Sequence, residues 1–90
     1  MQRMNMQIQD MPYNFIIGIK PNYREIFVHF STDMGKWEQI SMMRFGPRYY
    51  GSIRKKFRQI DFYFEGITHD GQKFQEGSKK DPFQGMHLSL

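Results

Sequence analysis

Ninety residues, a net charge of +4 and no cysteine bound this chain. It holds one domain, it cannot form disulfides or cysteine-based zinc sites, and it buries only about 60–65% of its unfolded surface, too little for a second enclosed pocket of enzyme size. Aromatic residues reach 17% against a mean hydropathy of −0.71, so rings are plentiful on an otherwise polar chain whose mildly basic balance permits nucleic-acid or acidic partners without requiring them.

The opening "MQRMNMQIQDM" lacks the continuous apolar centre of a signal peptide. No run approaches the roughly 18 apolar residues of a membrane span. Both points favour the cytoplasm and argue against membrane association. Residues 1–12 read as a flexible N-terminal segment or first strand, and 13–90 as a single domain. In "YNFIIGI" (13–19), Phe15, Ile17 and Ile19 share a face. After the turn "KPNY", the run "REIFVHFS" (24–31) puts Ile26, Val28 and Phe30 on one side, and Phe27 and His29 on the other. "TDMGK" is a second turn. In "WEQISMM" (37–43), Ile40 and Met42 oppose Trp37, Gln39 and Ser41.

"FGPR" turns into "RYYGSIR" (48–54), where Tyr49 and Ile53 oppose Tyr50 and Ser52. "QIDFYFE" (59–65) sets Ile60, Phe62 and Phe64 against Asp61, Tyr63 and Glu65. "QKF" (72–74) and "FQGMHLSL" (83–90) supply the last strands. Short alternating runs between evenly spaced turns predict an all-β chain, an immunoglobulin-like antiparallel β-sandwich of about seven short strands. The predicted core is Phe15, Ile17, Ile19, Ile26, Val28, Phe30, Ile40, Met42, Ile53, Ile60, Phe62 and Phe64. His29, Trp37, Phe27, Tyr50 and Tyr63 fall on the outer side.

His29, His69 and His87 are scattered without metal-ligand spacing, so no metal or other cofactor is expected. Asp61 and Glu65 share one strand face about 13 Å apart, wider than most acid–base pairs. No nucleophile elbow or phosphate loop occurs, and the chain reads as a non-enzyme. Two kinds of binding surface remain. Arg54, Lys55, Lys56 and Arg58 surround Phe57, a mixture that suits single-stranded nucleic acid and equally a solubilising loop beside a sheet edge. Trp37, with His29 across a hairpin, offers a ring and a hydrogen-bonding group to a sugar.

The stretch "EIFVHFSTDMGKWEQISMM" resembles the second and third strands of starch-binding modules, above all carbohydrate-binding module family 25, and is similar to the related families 21 and 53. "RYYGSIR" and "QIDFYFEGITHDGQKF" extend the likeness over about residues 13–85. The resemblance implies an immunoglobulin-like sandwich that binds starch- or glycogen-like α-1,4-glucan without catalysis. It also implies that the family's ligand-contacting His and Trp fall on His29 and Trp37. The family's later Trp-Asp-Asn-Asn segment is "QKFQEG" here, with Phe74 in place of the Trp and no match for the Asn pair. Tyr50 and Tyr63 are further candidates. The alternative is a small basic interaction protein that binds a protein partner or single-stranded nucleic acid, and an outer aromatic face or open strand edge equally suits a dimer.

Overall fold

The computed structural model describes residues 13–18 and 23–86. The segment 1–12, Ile19 of the expected core, and positions 87–90 lie outside the described residues. Among the described residues eight strands follow one another: β1 (Tyr13–Gly18), β2 (Tyr23–Thr32), β3 (Glu38–Ser41), β4 (Met43–Phe45), β5 (Arg48–Ile53), β6 (Gln59–Thr68), β7 (Lys73–Glu76) and β8 (Phe83–Met86). All pairings are antiparallel. One sheet has three strands, ordered β1-β5-β4. The other has five, ordered β3-β2-β6, with β7 and β8 pairing end to end along the free side of β6. No helix occurs among the described residues. The expected antiparallel sandwich is therefore the fold.

The eighth strand arises inside the run 37–43, which the alternation predicts as one strand. At Met42 the chain leaves the five-stranded sheet for the three-stranded one. The Met42 N–H donates to the Ile26 carbonyl at 2.9 Å, and its side chain is buried. Ile40 and Met42 both face the core, so the period of two runs on through the crossing and nothing in the pattern marks it.

Between the sheets lie Phe15, Ile26, Val28, Phe30, Met42, Tyr49, Ile53, Phe57 and Ile60, all buried, with Ile17, Ile40, Phe62 and Phe64 packed around them. The predicted inward set is thus the core, apart from Ile19. Tyr49, read as sharing a face with Ile53, joins it, and so does Phe57. The cations beside it read as a surface loop, yet its ring packs edge-on against Tyr13 at 5.5 Å and plugs one end of the sandwich. The Tyr49 hydroxyl donates to the Tyr23 carbonyl at 2.5 Å and ties β5 to β2 across the core. At Gly66 a Cβ would stand 2.4 Å from the Glu25 carbonyl oxygen and 2.6 Å from the Phe74 ring, so only glycine fits there.

The turn from β2 to β3 decides which way the next strand faces. Asp33 and Met34 have φ of 49° and 62°, and the Gly35 N–H donates to the Thr32 carbonyl at 2.9 Å, which is a type I′ turn. The ladder resumes at Phe30 opposite Glu38. One residue (Ser31) separates turn from ladder on the outgoing side, and two (Lys36 and Trp37) on the return. This extra residue is a bulge, held by the Ser31 hydroxyl donating to the Gly35 carbonyl at 2.7 Å. Without it Trp37 would lie opposite Phe30 and face the core. With it Ile40 turns inward and Trp37 turns out.

Candidate binding face

The outer side of the five-stranded sheet carries the candidate site. Register sets its rows. Tyr63, His29 and Gln39 stand side by side on β6, β2 and β3, and Glu65, Phe27 and Ser41 form the next row. The His29 and Tyr63 rings stack, with centroids 4.6 Å apart and planes 13° from parallel. Trp37 leans on the same Tyr63 ring at 5.4 Å. His29 Nε2 donates to Glu65 Oε1 at 2.7 Å, along the diagonal between the rows.

Tyr63 has an outward position yet is only 8% exposed. His29 and Trp37 lean on it, and the backbone at Gly77, with φ of 83°, passes so close that a Cβ there would lie 3.0 Å from the Tyr63 Cβ. Burial raises the Tyr63 hydroxyl above the ordinary tyrosine value, and the Glu65 charge adds to the rise. Tyr63 is thus a backing that fixes two neighbours. Trp37, half-buried, and His29 are the groups that meet solvent.

Beside this cluster runs a groove of about 220 Å³ lined by Phe27, Gln39, Glu65, Gly66, Ile67 and Lys73. Phe27 and Ile67 give it apolar walls. The Gln39 amide both donates and accepts, the Glu65 carboxylate accepts, and the Lys73 ammonium donates. Such a lining suits a ligand with apolar faces and a rim of hydroxyls. Gln39 and Glu65 were recognisable as outward-facing in the sequence. Ile67 and Lys73 were not, because they enter the face only through the β6–β7 register, where Ile67 pairs with Lys73.

Three of the five predicted ligand residues come together: His29, Trp37 and Tyr63. Phe74 lies apart on the inner side of β7, opposite Gly66, where the missing side chain makes room for its ring. It packs 4.6 Å from the Tyr23 ring and helps line a cleft of about 350 Å³ between the sheets, with Ile17, Phe64 and Phe83. Tyr50 sits on the other sheet, outward, between Ile16 and Met43. The basic segment keeps its four cations exposed: Arg54, Lys55, Lys56 and Arg58. It does not present the ring of Phe57 with them. Lys55 pairs with Glu38, and the backbone N–H of Arg58, not its guanidinium, donates to the Asp33 carboxylate at 3.0 Å.

No group of three or more metal-ligating side chains gathers among the described residues, and no helix among them is long and apolar enough to cross a membrane. No family model, no curated protein and no solved structure matches the chain.

Proposed function

We propose that the chain is a non-catalytic starch-binding module, and that the outer face of its five-stranded sheet binds α-1,4-glucan with Trp37 as the stacking platform. The observation that carries this reading is the gathering of His29, Trp37 and Tyr63 beside a groove with apolar walls and a polar rim. The resemblance to family 25 sets His29 and Trp37 in the ligand-contacting roles, and the two are neighbours on one face here. A sugar ring lays its C–H face on Trp37. Its hydroxyls meet His29, Glu65 and Gln39.

Tyr63 and the bulge hold the indole in place before the ligand arrives, which lowers the ordering cost of binding. Stacking over roughly 200 Å² of apolar surface gives about 5 kcal/mol gross. Association consumes much of that, leaving dissociation constants from about tens of micromolar to millimolar.

The test is a titration of the chain with maltoheptaose, followed by the fluorescence of its single Trp at low and high salt. A saturable change of equal size at both salt concentrations is expected. Calorimetry of Trp37→Ala should show the heat of binding lost. A flat titration up to 10 mM sugar overturns the reading, and so does an equal response to cellohexaose, which would remove the α-glucan preference.

A further inference from the structure

Charge divides between the two sheets. From Gln39 to Ile60 the chain has no Asp or Glu, yet it carries Arg44, Arg48, Arg54, Lys55, Lys56 and Arg58. β1, the remaining strand of the three-stranded sheet, has no charged residue. Every carboxylate among the described residues belongs to the five-stranded sheet or to the turns between its strands. Among the described residues, the three-stranded sheet and the segment that follows it are therefore wholly cationic, although the whole chain is only mildly basic.

That side also exposes rings and aliphatic groups. The register of β1, β5 and β4 lines up Ile16, Tyr50 and Met43 in a row across the outer face, with Arg48 beside Phe45 at one end. Ile16 is 54% exposed, Met43 64% and Phe45 61%. The Phe45 and Tyr50 rings meet edge to face at 5.8 Å. A groove of about 310 Å³ beside them is lined in part by Asn14 and Ser52, and the Ser52 hydroxyl donates to Asn14 Oδ1 at 3.0 Å. Along β5 and just past it, outward positions read Arg48, Tyr50, Ser52, Arg54, a track of about 20 Å at strand spacing.

An apolar patch of this kind marks a contact surface, and its charges select the occupant. The partner is anionic, has flat faces for Phe45 and Tyr50, and has hydrogen-bonding edges for Asn14 and Ser52. Single-stranded nucleic acid offers all three. A duplex hides its base faces. A lipid surface would dehydrate Asn14 and Ser52 on this face and offer them no partner beyond the bond they share. We propose that the outer face of the three-stranded sheet binds single-stranded nucleic acid, stacking bases on Phe45 and Tyr50 and holding phosphates with Arg48, Arg54 and Lys56. This site is separate from the sugar-binding face and does not depend on it.

The experiment is fluorescence anisotropy of labelled dT20 and rU20 titrated with the full chain, together with cosedimentation on phosphatidylserine vesicles. With three phosphates engaged, one at each of these cations, affinity should fall about twentyfold between 50 and 200 mM salt. Phe45→Ser, at a highly exposed position, should weaken binding about tenfold. The double variant Arg48→Glu, Lys56→Glu should weaken it further and flatten the salt dependence. Circular dichroism checks that each variant stays folded, and Trp37→Ala should bind oligonucleotide as the parent does. Tighter binding of dT20 or of rU20 identifies which nucleic acid the face prefers. Absence of binding to both at 50 mM salt overturns the proposal. So does unchanged affinity in Phe45→Ser, which would mean charge without stacking, or vesicle binding without oligonucleotide binding.

Discussion

Met34 occupies a backbone conformation that disfavours it. Its φ of 62° lies in the left-handed region, which costs an L-residue roughly 1–2 kcal/mol, and the residue is 80% exposed, so packing returns little. Met34→Gly removes that strain and completes an Asp-Gly pair of the kind type I′ turns prefer. Part of the gain goes to the greater freedom of glycine in the unfolded chain. The expected net effect is a stabilisation of about 0.5–1 kcal/mol, read as a higher urea midpoint with an unchanged slope. Tyr63 gives a residue-scale prediction of another sort. Its folded value is raised, so the folded protein keeps a proton that the unfolded chain releases. This contribution is whole below about pH 10 and is lost as pH climbs through the folded value. Melting temperature should therefore fall more steeply above pH 10 in the parent than in Tyr63→Phe. Tyr23, raised by burial and then by Glu76 and Tyr49, supplies a residual slope. Parity placed Tyr63 on the outer face correctly. It could not reveal that the residue is buried there, because the Gly77 backbone and Trp37 that cover it come from distant turns.

At the scale of elements, alternation reports which side of a strand faces the core and is silent on which sheet the strand joins. The run 37–43 shows the limit: its face assignment holds on both sides of Met42, while the crossing between sheets is invisible. The segment 54–58 shows another. Four cations around one ring look like a solvated loop with a stacking platform, but the ring is structural and only the cations are surface. Truncation separates the two roles. Phe57→Ala should cost about 3–5 kcal/mol, a large share of the roughly 5–15 kcal/mol total of a small domain, while Lys56→Ala should stay within about 0.5 kcal/mol. Equal urea midpoints for the two variants would mean that Phe57 is no plug. The last strands were legible as existing but not as placed. "QKF" is too short to fix a parity, and Phe74 faces inward because Gly66 opposite it has no side chain.

Over the whole molecule, the two proposed binding faces lie on opposite outer surfaces with the core between them. Nothing in the register joins their rows, so substitutions on one should leave the other unmoved: Trp37→Ala spares oligonucleotide binding, and Arg48→Glu spares maltoheptaose binding. Net charge concealed this arrangement. A total of +4 averages a wholly cationic sheet with one that carries every described carboxylate. The pairing of β1 has a consequence in time. Among the described residues its only partner is β5, with Gly18 opposite Arg48 and Tyr13 opposite Ile53, while β2, β3 and β4 all lie between them in the chain. As the protein is synthesised, β1 leaves the ribosome well before the strand that will receive it. Meanwhile the β2–β3 hairpin can close at once on its own turn. The β1–β5 ladder must therefore await a long-range closure, and until β5 emerges the nascent chain carries "YNFII" without this partner, an apolar segment in need of shielding from its neighbours.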